Sequence, residues 1–86
     1  MPKRQSIREL DLHGVYHREV FDIVDEFVGK CIMDNIDHFE IVTGYSERMK
    51  ELAQEVLTDY KLQGTTTPYN KGKLVIKYEN KNRNSR

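Results

Sequence analysis

The 86-residue sequence has a single cysteine, Cys31. That excludes an internal disulfide framework and any cysteine-rich zinc module, and a reduced, cytoplasmic protein is the expectation. No apolar run approaches the roughly 20 residues that a membrane span needs. The opening Met1-Pro2-Lys3-Arg4-Gln5-Ser6 leads into no apolar segment, so no secretory signal is expected. There is also no excess charge of either sign: 14 basic and 14 acidic side chains cancel. A chain this short makes one small domain and buries only roughly 60–65% of its unfolded surface. The hydrophobic share is 37% and the charged share 33%. The apolar residues are clustered, which argues against wholesale disorder.

The zero net charge is unevenly laid out. Residues 1–8 carry +3, residues 71–86 carry +5, and the stretch between them carries −8. Basic ends can meet phosphates, and an acidic body keeps a domain soluble. Charged ends are also common simply because they are solvated.

Periodicity gives the order of elements. Ile7 to His13 alternates, with Leu10 and Leu12 on one face and Glu9, Asp11 and His13 on the other, a strand pattern. Gly14 ends it. Val20, Ile23, Val24, Phe27, Val28 and Cys31 form one apolar stripe at helical spacing, so a helix is predicted over 17–33. Asp22, Asp25 and Glu26 lie off the stripe, on a solvated face. Gly29 inside this helix is expected to pack closely against a sheet. Asp34-Asn35 is its predicted end. His38 to Thr43 reads as a second strand, followed by Gly44. Ser46 is a predicted N-cap, with Glu47 in the first turn of a helix over 47–61. That helix buries Met49, Leu52, Ala53, Val56, Leu57 and Tyr60, and Gly64 is expected just past its end. Thr65-Thr66-Thr67, stopped by Pro68, is a candidate edge strand. Asn70-Lys71-Gly72 reads as a turn. A last strand places Leu74, Ile76 and Tyr78 on one face and Lys73, Val75 and Lys77 on the other. The order is βαβαββ, with the domain at 7–79, an N-terminal tail at 1–6 and a basic tail at 80–86.

A strand–helix–strand succession gives parallel strands. The carboxyl ends of the first two strands, Asp11–Gly14 and Thr43–Ser46, would then converge on one rim, the usual place for a ligand in an α/β sheet. Each turn opens a helix, whose first amides and partial positive charge suit a phosphate. His13 is the rim side chain best suited to proton transfer at neutral pH. Asp11, about 6.5–7 Å away along the strand, would orient the imidazole, hold a metal or contact an incoming group. The bland alternative is a histidine that only bonds a neighbouring loop. His13 and His17 have the H-x-x-x-H spacing of zinc ligands, but Gly14 breaks the helix that would align them. A divalent metal held by these two and Asp11 stays open. His38 belongs at the opposite edge, and Cys31 reads as inert core. Tyr45 is either a base-stacking ring or a packing residue. Arg48, Lys50, Lys71 and Lys73 are candidate phosphate contacts.

Leu10-Asp11-Leu12-His13-Gly14 resembles the LDLHG signature of the Smr (small MutS-related) domain family. In that family a helix follows, then a strand ending in an (H/T)-G-x-G loop. Ile41-Val42-Thr43-Gly44-Tyr45-Ser46 occupies that place, and the resemblance covers about residues 7–78. It implies a two-layer α/β (α+β) sandwich, a mixed four-stranded sheet with two helices on one face, similar to the C-terminal domain of translation initiation factor 3. It implies a nucleic-acid-binding endonuclease on DNA or RNA, with messenger RNA on the ribosome as one setting; RNA is the substrate expected here, with DNA nicking as the lesser activity. Carried over, the catalytic residues are Asp11 and His13. The loop carried over for substrate binding is Thr43-Gly44-Tyr45-Ser46; Gly14, Arg48, Lys71 and Lys73, read from the residues themselves, complete the expected substrate-binding set, with phosphate charge met by the amides around Gly44 and Ser46. The second loop glycine is replaced by Ser46, and the glycine-rich stretch before the last strand is reduced to Asn70-Lys71-Gly72. These departures support the alternative, a non-catalytic module binding nucleic acid or the ribosome. A stand-alone monomer is expected.

Overall fold

The computed structural model describes residues 8–68 and 70–77. Ile7, Tyr78 and the two expected tails lie outside the described residues. Six elements follow the expected order: β1 Arg8–Asp11, α1 His17–Met33, β2 His38–Val42, α2 Glu47–Asp59, β3 Gly64–Thr67 and β4 Asn70–Lys77. The sheet order is β1-β2-β4-β3. β1 and β2 are parallel, as a helical crossover requires. β4 runs antiparallel to both β2 and β3. The arrangement is α+β, with a mixed sheet.

Strand register sorts the side chains into two faces. Leu10, Phe39, Ile41, Leu74 and Ile76 share one face through the pairs Leu10↔Ile41, Ile41↔Leu74 and Phe39↔Ile76. Val20, Val24, Val28 and Cys31 of α1 and Met49, Leu52, Ala53, Val56 and Leu57 of α2 close over that face in one core. Phe27 meets Phe39 edge-on, with ring centroids 5.5 Å apart at 84°. Cys31 is fully buried, and its burial pushes the thiol above its ordinary pKa, with Arg8 opposing.

The other face carries Glu9, Glu40, Val42, Lys73 and Val75. Glu9 and Glu40 sit directly opposite each other on neighbouring strands, a like-charge pair that would repel. Lys73 resolves this, with its ammonium 3.0 Å from Glu40 and 3.2 Å from Glu9. The Glu40 bond, then the Glu9 bond, raise the Lys73 pKa. Stability from a raised lysine is fully present below the unfolded pKa near 10.5 and is lost as pH rises through the folded value. Lys73→Met should therefore melt below wild type at pH 7, and the gap should narrow above about pH 10.5. Thermal melts across pH check this.

The helix ends depend on specific residues. Asn35 takes φ 61° after α1, and the amides of Asn35 and Ile36 bond Ile32 and Cys31. This is the doubly bonded left-handed cap that asparagine tolerates. α2 ends the same way, but not at the expected glycine. Lys61 takes φ 62°, with Lys61 and Leu62 amides on Thr58 and Leu57. Gly64 instead opens β3, where an added Cβ would lie 3.1 Å from Leu74 Cβ and 3.2 Å from Leu57 Cδ1. Gly29 faces the hydroxyl of Tyr60, the C-cap of α2, not the sheet. That hydroxyl donates to Asp25 Oδ1 at 2.7 Å. Asn70-Lys71-Gly72 is strand rather than turn. Thr67 pairs with Asn70, so the chain reverses between them. β3 is an edge strand, as expected, and β1 is the other.

Ser46 caps α2 as predicted, its Oγ accepting from the Met49 amide at 3.1 Å. Ser46→Ala should cost about 1 kcal/mol. That corresponds to a fall of roughly 4–8 °C in melting temperature, readable by circular dichroism.

Candidate nucleic-acid interface

The first rim turn is built on Leu12. Its side chain is fully buried, and its amide donates to Val42 O at 2.9 Å, tying the end of β1 to the end of β2. Its carbonyl accepts from Val15 N at 3.0 Å, closing a tight turn with Gly14 at φ +81°. That conformation favours glycine. His13 stands at the corner of this turn, exposed. Asp11 Oδ1 accepts from the His13 backbone amide at 2.8 Å. The carboxylate thus fixes the backbone that carries the imidazole, and Oδ2 has no partner among the described residues.

The second turn is braced from β4. Gly72 O accepts from the amides of both Thr43 and Gly44 at 2.9 Å. Thr43 is buried, and its hydroxyl donates to Gly44 O at 3.0 Å. Gly44 has φ +69°. A Cβ on Gly72 would lie 3.3 Å from Gly44 Cα, so glycine at 72 is what lets the two backbones meet. Sequence reasoning missed this role. Its only signal was a glycine inside an alternating strand pattern.

This geometry changes which amides are free as candidates to meet a phosphate. The Gly44 N–H is spent on Gly72 and Met49 N–H on Ser46 Oγ. The amides of Tyr45, Ser46, Glu47 and Arg48 have no acceptor among the described residues. They lie at the N-terminus of α2, where the helix dipole favours negative charge.

Asp11, His13, Gly14, Gly44, Tyr45, Ser46 and Arg48 therefore share one rim. Arg48 is exposed and pairs with Glu51 at 3.2 Å. Thr43 lies beneath the loop and shapes it. Lys71 lines a groove of about 750 Å³ between α2 and β3, with Glu47 and Glu51. Lys73 stands in the same row of the sheet as Asp11, two strands over, and its ammonium leans to Glu40 and Glu9. Lys50 is held 3.8 Å from Glu47. His38 begins β2, at the opposite edge. Tyr16 and Arg18, passed over in the sequence, stand on the rim at the start of α1.

Among the described residues, no group of three or more histidine, cysteine, aspartate or glutamate side chains is placed to hold a metal ion. Asp11, His13 and His17 do not make a metal centre by themselves. No helix among the described residues is long and apolar enough to cross a membrane.

The sequence model of the Smr domain matches residues 10–83. The chain belongs to the Smr domain family. The match begins at Leu10 and takes in both rim turns and all of β4. Membership supports nucleic-acid binding and nuclease chemistry in general terms. Comparison of this Smr domain with curated proteins and with solved structures gave no significant match.

Proposed function

We propose that this Smr domain binds RNA across the two-turn rim and cleaves its phosphodiester backbone, with His13 as the proton-transfer group. The observation that carries this reading is the shared rim: an exposed imidazole on one turn, and four unpartnered amides at a helix N-terminus on the next. A phosphate seated on the amides of Tyr45 to Arg48 has its developing charge met by fixed dipoles. His13 takes the proton of the 2′-hydroxyl or gives one to the leaving 5′-oxygen, and water makes the other proton transfer. The 2′-oxygen bonds to phosphorus as the bond to the 5′-oxygen breaks, leaving a cyclic phosphate and a free 5′-hydroxyl. Asp11 holds the His13 backbone through Oδ1, and Oδ2 accepts a hydrogen bond from the substrate. DNA lacks the 2′-hydroxyl and is not cut by this step; nicking of plasmid would require water as the nucleophile, with the 3′- or 5′-oxygen leaving.

The test is incubation of the purified domain with end-labelled structured RNA, with messenger RNA on ribosomes and with supercoiled plasmid. Cleavage of RNA to cyclic-phosphate ends is expected. Binding through about four phosphates should weaken roughly 50-fold between about 50 and 200 mM salt. Salt-sensitive binding without cleavage would replace the nuclease with the binding-module alternative. Salt-insensitive binding, or none, would remove both.

A further inference from the structure

Four large apolar side chains are exposed among the described residues: Tyr16, Phe21, Met33 and Tyr45. Phe21 lies on the outer helical face beside Asp22, Asp25 and Asp59, and Met33 is the last residue of α1. The two tyrosines have a different address. Tyr16 is the N-cap residue of α1, four positions beyond Leu12. Tyr45 is three positions beyond Val42. The Leu12–Val42 hydrogen bond locks those two strand ends together. Each rim turn therefore carries one exposed tyrosine, Tyr16 three positions after His13 and Tyr45 next to Gly44. Their exposures of 63% and 79% mean that neither ring is spent on the core.

Tyr16 serves its helix start only through its backbone, whose carbonyl accepts from the Glu19 amide at 2.9 Å. It makes no side-chain cap there. Its ring is instead covered by the Arg18 guanidinium, 4.8 Å from the centroid. Arg18 forms no ion pair among the described residues. A ring with a cation on one face is held in place and still offers its other face. Arg18 itself keeps its charge for a phosphate.

We propose that Tyr16 and Tyr45 are base-stacking platforms flanking the His13 turn, so that the rim takes an unpaired, single-stranded stretch of nucleic acid. This rests on the rim being the nucleic-acid site, and it names the form of substrate that the site accepts. A base within a duplex has both faces covered by its neighbours and cannot lie on a tyrosine. An unpaired base can, and every base has a face to offer, so the selection is for strand state and not for sequence. The nucleotide between the two stacked bases then presents its phosphate to the turn that carries His13. Arg18 meets the backbone on the Tyr16 side.

The test is binding of a fluorescent single-stranded oligonucleotide, containing 2-aminopurine, and of the same sequence as a blunt duplex. Wild type, Tyr16→Ala, Tyr45→Ala, Tyr16→Phe and Tyr45→Phe are compared, each checked by its melting temperature. Wild type should prefer the single strand and quench the 2-aminopurine. Each alanine variant should lose about 5- to 150-fold in single-strand affinity, with weaker quenching and little change toward duplex. The phenylalanine variants, which keep the ring, should recover both signals. Alanine variants that bind the single strand like wild type would overturn the proposal, as would equal losses toward single strand and duplex. If the wild type still shows salt-sensitive binding in that case, only the stacking proposal fails. No binding by the wild type to either form would take the rim assignment with it.

Discussion

His13→Ala is expected to lower RNA cleavage by about 10²- to 10⁴-fold, the usual worth of a positioned proton-transfer group. Affinity for the oligonucleotide and the melting temperature should stay at wild-type values. The reason is local. His13 is exposed at the corner of a turn whose shape comes from Leu12, Val15 and Gly14, and its ring forms no hydrogen bond or ion pair among the described residues. Asp11 separates into two functions by choice of substitution. Asp11→Asn keeps an oxygen for the His13 amide and removes only the charge, whereas Asp11→Ala removes both the charge and the 2.8 Å bond. Cleavage should fall in both. If the carboxylate matters mainly by fixing the turn, the asparagine variant will retain more activity than the alanine. Single-turnover rates with a labelled RNA measure this. Equal rates for wild type and all three variants would remove these residues from the chemistry.

The opposite signature is expected at Phe39. This ring is fully buried, meets Phe27 edge-on and sits on the core face of β2 beneath the helices. Phe39→Ala removes that packing and leaves a cavity, at a cost of about 3–5 kcal/mol. A domain of this size has only about 5–15 kcal/mol in total. The melting temperature should fall by at least roughly 12 °C, taking the lower bound of about 4 °C per kcal/mol. Activity should disappear with folding and should be intact at temperatures where the variant is still native. His13→Ala and Phe39→Ala thus separate chemistry from scaffold. One changes rate and not stability, the other stability and not intrinsic rate.

Much of the scaffold was legible because it is local. The apolar stripe from Val20 to Cys31, the alternation of Leu10 with Leu12, the Ser46 cap and the Asn35 helix end are each written within a few residues of sequence. What was not legible depends on chain segments meeting in space. Gly64 looked like a helix stop, but its smallness serves Leu57 and Leu74, while the left-handed residue is Lys61. Gly72 looked like part of a turn and is instead the surface on which Gly44 rests. Gly29 answered to Tyr60, the C-cap of the second helix, not to the sheet. Lys73 read as a free cation, and only the pairing of three strands brings Glu9 and Glu40 to it. The same holds at the site. Asp11 and His13 could be picked out from the sequence, but not that the carboxylate holds a backbone amide, nor that the free amides begin at Tyr45. Tyr16 gave no signal in the sequence, because nothing there says that the core leaves its ring uncovered or that Arg18 lies over it.

The central claim is that nucleic acid is received by the two turns together. Titration of ¹⁵N-labelled protein with a short single-stranded RNA, followed amide by amide, tests it most directly. The account predicts that shifts concentrate at residues 13–18 and 44–48, moving together as one binding event and reversing with added salt. Shifts confined to the sheet face around Glu9, Glu40 and Lys73, or to the outer helical face around Asp22, Asp25 and Glu55, with both turns unmoved, would contradict it.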